Sequence, residues 1–283
     1  MTAQSLAAGA LFALIAVAGA ARGQIIASAG FNDVTGINGD GVANNSPYNV
    51  ANASVIGQGA GEPGWFQPWQ GGGTLAQVRN AGMAEGDGAL FLQGTSQVFR
   101  TLTQPITRTS VEILLEIPFS AGAGGVTFYV NQNSIQDAGL RVGSQVVATA
   151  DGRWQVLDGT GNGVGTLVNT GFFWTPGAYQ RLRVDINMTT RTWEFYVNDV
   201  HFNAGHPLGF RGQPIFLDEV NFLNGNGAPN GTFIDAVRLF PAPVPEPSSL
   251  ALLGIAACGG VPWMIRRVRG PGSQTRRSVG RRP

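Results

Sequence analysis

Lysine is absent from the 283-residue sequence, and cysteine occurs only once. A single cysteine excludes both an intramolecular disulfide framework and a metal module built from several thiolates. Charged residues make up 12% of the chain, against roughly 25% in an average soluble domain. Hydrophobic residues nevertheless reach 43% and aromatic residues 9%. That content is sufficient for a core and excludes a disordered or collagen-like chain.

Helical periodicity is also missing between residues 24 and 242. Short segments instead alternate hydrophobic and polar residues, and 42 Gly and 16 Pro punctuate the chain. Leu182, Val184 and Ile186, for example, occupy alternate positions and are predicted to face a core. The glycine-rich stretches 71–73 and 159–165 are predicted to be hairpin loops. The predicted strands cover residues 111–117, 125–131, 152–157, 181–187, 192–198, 215–222 and 233–240. Their spacing predicts an all-β fold, an antiparallel jelly-roll β-sandwich over residues 24–242.

Positive and negative charges are concentrated in different parts of the chain. Residues 24–245 contain 10 Arg and 16 acidic residues, a net charge of −6. From Glu246 to the end there are seven Arg and one acidic residue, a net charge of +6. Because the acidic body would repel phosphates, no nucleic-acid partner is predicted.

The N terminus has the pattern of an export signal. Residues 6–21 form an apolar run of 16 residues followed by Arg22, which is shorter than the ~20 residues of a membrane-spanning helix. Small residues offer cleavage before Ala21 or before Gln24. The pattern predicts a signal peptide over residues 1–23. A retained membrane anchor is the alternative, and either reading predicts export.

The C terminus combines three features in a fixed order. Pro245, Glu246 and Pro247 precede an apolar segment at residues 250–265, and an arginine cluster begins at Arg266. This order predicts a single transmembrane helix within residues 243–270 and a basic tail over residues 271–283, with the arginines on the cytoplasmic side. A C-terminal amphipathic or buried helix is the alternative.

This order of features resembles the PEP-CTERM sorting signal of bacterial exported proteins. In that family an exosortase-type membrane enzyme processes the chain near the Pro-Glu-Pro motif. The resemblance therefore implies an exosortase-type partner, membrane anchoring before processing, and a final place at the cell surface or outside the cell. Pro262 within the apolar segment and the residues that follow Gly270 depart from the family pattern.

The body of the chain carries a second, more diffuse resemblance. Residues 179–198, the closing segment 233–239 and the opening segment 30–34 resemble strands of concanavalin A-like and laminin G-like domains. Galactose-binding-like carbohydrate modules share the patterns of the first and last strands. The resemblance implies a jelly roll whose first and last strands pair.

Such pairing would make Asp33 and Asp235 neighbours. Carboxylate and carbonyl oxygens are the ligands that Ca²⁺ prefers, so these two residues are a candidate site for a structural Ca²⁺. The alternative is that Asp235 accepts hydrogen bonds from neighbouring backbone groups.

Glycan binding needs flat aromatic rings beside carboxylates and amides. Trp65 and Trp69 lie in the Pro/Gly-rich segment 64–70 and are predicted to be exposed there as a ligand platform for an extracellular polysaccharide. Trp174, Tyr129 and Tyr196 are further candidates. Core packing is the alternative for each of these side chains.

Glu112 and Glu116 point the same way on a predicted strand, about 13 Å apart at ~3.3 Å per residue. Their spacing resembles the E-x-D-x-E strand of laminarinase-type glycoside hydrolases, but Leu114 replaces the middle Asp. We therefore expect two solvated carboxylates and predict no catalytic residue. The sequence favours a non-enzymatic, surface-sorted protein of structural, adhesion or extracellular-matrix type, with glycan contact. A degenerate glycoside hydrolase and a carbohydrate-binding module are the alternatives.

Overall fold

The computed structural model describes residues 24–31, 54–79, 88–117, 125–133, 140–225 and 231–242. These residues belong to one structural unit and contain fourteen β-strands and no helix. The strands are β1 (Ala27–Ala29), β2 (Gln70–Arg79), β3 (Ala89–Ile106), β4 (Arg108–Glu116), β5 (Val126–Asn131), β6 (Val142–Ala148), β7 (Arg153–Gly159), β8 (Gly165–Phe173), β9 (Tyr179–Asn187), β10 (Thr192–Val197), β11 (Val200–His201), β12 (Leu208–Gly209), β13 (Leu217–Asn224) and β14 (Thr232–Pro241). The predicted all-β class is confirmed.

The strands form one antiparallel sheet that curls into a jelly-roll sandwich. Its main order is β11-β10-β9-β4-β14-β3-β13-β5-β6-β7-β8. Three strands attach to the side of this path: β1 pairs with β14, β2 with β3 and β12 with β10. The first and last strands therefore pair, with Ala29 opposite Val237.

Strand β3 is long enough to belong to both layers of the sandwich. Its residues 90–92 pair with β14, whereas residues 96–106 pair with β13. Gly94 lies between these two stretches with φ of 61°, a left-handed conformation that glycine adopts without steric cost. One layer consequently contains β11, β10, β9, β4 and β14, and the other contains β13, β5, β6, β7 and β8.

The two ends of the curled sheet meet through backbone hydrogen bonds. Gly161 donates to the carbonyl oxygen of Phe210 (3.0 Å), and Gly163 donates to that of Arg211 (2.8 Å). The loop between β7 and β8, which the sequence predicts, is thereby tied to the segment that follows β12. This contact holds the layers together at a second place besides β3.

The core lies between the layers, and alternation selects its residues. Leu182, Val184 and Ile186 of β9 are buried, as the sequence predicts, and their neighbours on the strand are more exposed. Trp154 and Trp193 are among the largest fully buried side chains. The sequence does not predict strands β2, β3, β6 and β8, because glycine and polar residues interrupt their alternation. It also misses β1, β11 and β12, which are only two or three residues long.

Residues 71–73 lie within strand β2 and do not form the predicted hairpin loop. The reason is a close approach of β2 to β3. A Cβ atom on Gly71 would lie 2.0 Å from the carbonyl oxygen of Gln97, and one on Gly73 would lie 2.3 Å from that of Thr95. Both glycines also have positive φ values, of 134° and 125°. The fold therefore requires glycine at these two positions.

Several predicted features lie outside the described residues. These are the signal peptide, Asp33, the Pro245-Glu246-Pro247 motif, the transmembrane helix and the basic tail. In the part of the chain that the structure describes, no helix has the length and hydropathy needed to cross a membrane.

Candidate functional site

The two tryptophans predicted as a ligand platform lie in the core. Trp69 has no exposed surface and Trp65 is 7% exposed. The Trp69 ring packs against Phe31 and Phe222, with centroids 5.7 and 6.3 Å apart. The Trp65 indole nitrogen donates to the carbonyl oxygen of Ser28 at 2.9 Å. The prediction that these side chains are exposed is therefore wrong, because segment 54–69 folds onto the core.

A fully buried arginine holds that segment in place. The Arg100 guanidinium of β3 lies 4.8 Å from the centroid of the Trp65 ring. Its Nε donates to the carbonyl oxygen of Gln67 at 3.0 Å, and its other nitrogens donate to Glu62 and to the carbonyl oxygen of Gly59. Arg100 thus has a structural partner at each of its nitrogens and is not available to a ligand.

Glu112 is also buried, which corrects the expectation of two solvated carboxylates. The residue is 3% exposed, and its Oε1 lies 3.8 Å from Nε of Arg181 and 3.7 Å from Nη1 of Arg238. These arginines come from β9 and β14, the neighbours of β4 in the sheet. Glu116 is half-buried, and burial raises its pKa. The geometry gives Glu112 the surroundings of a structural ion pair.

The candidate Ca²⁺ ligands are only partly described. Asp235 is fully buried at a bulge in β14 between Ile234 and Ala236, whereas Asp33 lies outside the described residues. Within the described ranges, no group of three or more His, Cys, Asp or Glu residues is arranged to hold a metal ion. A Ca²⁺ site at Asp33 and Asp235 remains a prediction.

A small cavity of about 200 Å³ lies beside β10 and β12. His201 and His206 both line it. Nε2 of His201 lies 3.8 Å from Oε2 of Glu194, whereas Nε2 of His206 lies 3.6 Å from Oδ2 of Asp158. Each histidine thus lies beside a different carboxylate, and within the described ranges these residues do not form a group of three or more that could hold a metal ion.

The outer face of the layer that contains β13, β5 and β6, together with the adjoining part of β3, carries a set of amide side chains. Val98, Val220 and Phe222 of β3 and β13 point into the core, so the side chains that alternate with them point outward. The register then places Phe99 beside Asn221 and Asn221 beside Tyr129. We call this surface the amide face, and it comprises Gln97, Phe99, Tyr129, Asn131, Gln145, Glu219 and Asn221.

Hydrogen bonds link the amide face into a chain that ends on Glu219. Nε2 of Gln97 donates to Oδ1 of Asn221 at 3.2 Å. Nδ2 of Asn221 donates to Oε1 of Glu219 at 3.3 Å, and Nδ2 of Asn131 donates to the same oxygen at 2.7 Å. The carboxylate therefore fixes the orientation of both asparagine amides.

Glu219 itself is fully buried. Burial raises its pKa, and the hydrogen bonds from Asn131 and Asn221 act in the opposite direction. Oε2 of Glu219 and Oδ1 of Asn131 are buried and have no hydrogen-bond partner among the described residues. Hydrogen-bond acceptors in such positions are normally satisfied, so these two atoms are unsatisfied acceptors beneath the surface of the face.

Tyr129 and Arg211 lie towards the β6 side of the amide face. Burial raises the pKa of the Tyr129 phenol, and the positive charge of Arg211 opposes that shift. Nη1 of Arg211 donates to Oε1 of Gln145 at 3.2 Å. Gln97, Phe99, Tyr129 and Gln145 are thus the half-buried residues of the amide face, with the Arg211 cation at its edge. Asn131, Asn221 and Glu219 are buried.

An open depression of about 490 Å³ adjoins the amide face on the β2 side. Gln97 and Phe99 belong to both surfaces. The depression is lined by Gln70, Gly71, Gly72, Gly73, Thr95, Gln97, Phe99 and Leu223. Amide groups beside an aromatic ring suit a ligand that has both hydroxyl groups and apolar C–H faces.

Sequence reasoning named Tyr129 but missed the other residues of the amide face. Gln97 and Asn221 are 124 residues apart in the chain, and Asn131 and Glu219 are 88 apart. The available signal was the amide and carboxylate residues that alternate with the core residues of 126–131 and 217–224. Only the register of the sheet brings them together.

Comparisons with known proteins give similarity of fold alone. No family model matches the chain, and no curated protein sequence matches it. Similar solved structures include a sialidase, at 15% identity over 60% of this chain with a TM-score of 0.46, and this chain spans 16% of the sialidase's length.

Two further structures are matched over most of their own length. One is a carbohydrate esterase from Shiga toxin-encoding bacteriophage phi24B, at 12% identity over 62% of this chain and 91% of that one, with a TM-score of 0.45. The other is domain 4 of AbnA, a GH43 extracellular arabinanase from Geobacillus stearothermophilus, in complex with arabinotriose; it matches at 12% identity over 78% of this chain and 94% of that one, with a TM-score of 0.44. At TM-scores below 0.5, these similarities identify neither a family nor a ligand for this chain.

Proposed function

We propose that this protein is an exported, surface-sorted β-sandwich that binds glycans through the amide face and has no catalytic role. The observation that carries the proposal is the hydrogen-bonded chain of Gln97, Asn221, Glu219 and Asn131. Of its members only Gln97 is half-buried, beside the half-buried rings of Phe99 and Tyr129. Asn131, Asn221 and Glu219 are 5%, 3% and 0% exposed, and Asn221 fixes the Gln97 amide from beneath.

The chemistry of this face matches a sugar in two ways. Sugar hydroxyl groups both donate and accept hydrogen bonds, as amide side chains do. The rings of Phe99 and Tyr129 offer apolar surface to the C–H groups of a sugar ring. Glu219 holds the amides before a ligand arrives, and such preorganisation lowers the entropic cost of binding.

We propose binding rather than hydrolysis because of the position of Glu112. A retaining glycosidase uses two carboxyl groups about 5–5.5 Å apart on either side of the scissile bond. Glu112 instead lies between Arg181 and Arg238 and is 3% exposed. A buried, paired carboxylate of this kind supports a structural role.

Export and sorting form the second part of the proposal and rest on the sequence. The apolar N-terminal segment, the Pro245-Glu246-Pro247 motif and the arginine cluster support secretion, membrane anchoring and processing by an exosortase-type enzyme. The processed protein would then contribute to adhesion or to the extracellular matrix by contact with a polysaccharide.

The glycan part of the proposal is tested by binding of the purified full-length chain to a panel of soluble polysaccharides. Gln97→Leu should weaken binding about tenfold. The substitution removes the Gln97 amide, which would contact the ligand and which also hydrogen-bonds to Asn221. Gln104→Leu is the matched control, since it makes the same change at an exposed position of the same strand. Equal affinity of both variants and the parent chain would contradict a role for the amide face.

A further inference from the structure

The middle glycine of the β2 stretch is not required by the fold. A Cβ atom on Gly71 or Gly73 would collide with the backbone of β3, whereas one on Gly72 would meet no atom within 4 Å. Gly72 also lacks the positive φ of its two neighbours. A side chain at this position would project into open space, and Gly72 lines the depression of about 490 Å³. Glycine at this position leaves the floor of the depression as bare backbone.

The lining of the depression is uncharged. Its side chains are amide, hydroxyl and hydrophobic groups, and none of its eight residues is Asp, Glu, Arg or His. Recognition of carboxylate or sulfate groups normally uses arginine or lysine. The body of the chain, residues 24–245, also carries a net charge of −6, which repels polyanions. Within the depression an uncharged ligand therefore fits better than an anionic one, and the Arg211 cation lies outside its lining, on the β6 side of the amide face.

The depression is continuous with the amide face. Gln97 and Phe99 line the depression and also stand beside Leu223 and Asn221 in the register of β13. A ligand that occupies both surfaces crosses β2, β3 and β13. Because neighbouring strands lie about 4.8 Å apart, that path is roughly 10 Å long and exceeds a single sugar ring.

We propose that the depression is a subsite for an uncharged polysaccharide chain that lies across the backbone of β2 at Gly72. One sugar packs on Phe99 and Leu223, and Gln70 and Gln97 bind its hydroxyl groups. The next sugars extend across β13 towards the half-buried Tyr129, with the buried Asn221 beneath them. This inference rests on the proposed glycan-binding function and adds the charge class of the ligand and its path.

The test compares neutral and anionic polymers with the purified full-length chain. Titration calorimetry would measure binding to barley β-glucan and soluble xylan as neutral probes, and to alginate and polygalacturonate as anionic probes. We expect binding to at least one neutral polymer, and binding to the polyanions at least tenfold weaker.

Two substitutions distinguish an effect on the binding site from an effect on the fold. Gly72→Leu fills the depression and should lower affinity for the neutral polymer at least tenfold. Thr166→Leu adds a leucine to the exposed strand β8 and should leave affinity unchanged.

Each outcome has a distinct meaning. Loss of neutral-polymer binding in Gly72→Leu, with an unchanged unfolding midpoint in urea, supports the subsite. If Gly72→Leu unfolds, Gln70→Leu replaces it, because Gln70 lines the depression and lies outside the amide face; loss of neutral-polymer binding in folded Gln70→Leu supports the subsite. Tighter binding to alginate or polygalacturonate overturns the proposed charge class but leaves glycan binding intact. Neutral-polymer binding that survives in the folded Gly72→Leu or Gln70→Leu variant overturns the location of the subsite. If the parent chain binds none of the four polymers, both this inference and the proposed function fail.

Discussion

At the scale of single residues, the buried carboxylate of Glu219 is the feature that most needs a physical explanation. Moving an ionised carboxylate out of water is costly unless hydrogen bonds replace its hydration. Asn131 and Asn221 both donate to Oε1, whereas Oε2 has no partner among the described residues. The raised pKa of Glu219 reflects this incomplete compensation. The cost is explained if the carboxylate serves to orient the two amides for a ligand.

Replacing Glu219 with glutamine should change how stability depends on pH. A carboxyl group with a raised pKa in the folded state binds its proton more tightly when folded than when unfolded. Its contribution to the stability of the fold is therefore full below the unfolded pKa of about 4.3 and is lost as the pH rises through the folded pKa. Glu219→Gln removes this titration, so the parent chain should lose stability relative to the variant between pH 4 and pH 7.5. Urea unfolding at both pH values measures the free energy of unfolding of the two proteins. A difference between parent and variant that is the same at pH 4 and at pH 7.5 would contradict the explanation.

At the scale of strands, the sequence predicts what depends on alternation and misses what depends on register. The buried positions of β9 and of Val111, Ile113 and Leu115 follow the predicted pattern. The exposed face predicted for Glu112 is wrong, because arginines from two neighbouring strands surround it. The segment with Trp65 and Trp69 has no alternation, so nothing in the sequence indicates which side faces the core. Long-range pairing decides each of these cases.

Strand β2 provides a test of that argument within three consecutive glycines. Gly71→Ala and Gly73→Ala should each destabilise the fold by at least about 1 kcal/mol, because each adds a methyl group at a backbone contact and at a positive φ. Gly72→Ala should change stability by less than about 0.5 kcal/mol, since its methyl group enters open space. Urea unfolding of the three variants measures the order. Similar losses at all three positions would mean that β2 does not approach β3 as closely as described.

At the scale of the whole molecule, the arrangement of strands brings the first and last strands of the sandwich together. The backbone N–H of Ile26 donates to the carbonyl oxygen of Leu239 at 2.7 Å, and that of Ala242 donates to Arg108 at 3.1 Å. The amide face lies in the other layer, on β3, β13 and β5. The sandwich therefore presents its candidate binding surface on a different layer from the point where the chain enters and leaves. Such an arrangement suits a domain that is attached by a terminus and binds by its face.

The proposed sorting step predicts a large change in the charge of the molecule. The full chain has a formal net charge of +1, but residues 24–245 alone have 10 Arg against 16 acidic residues, or −6. Mass spectrometry of protein recovered from a bacterium that has an exosortase-type enzyme should find a chain that begins at Ala21 or Gln24. Its C terminus should lie near Pro245–Pro247. The mature form should also focus at an acidic pH, whereas the unprocessed chain has a pI of about 8.0.

Glu246→Ala should block this processing, and Pro241→Ala, which lies outside the motif, should not. Recovery of an intact arginine tail from the parent chain in such cells would contradict the assignment, because a sorting signal that is never cut leaves the acidic body joined to its basic tail.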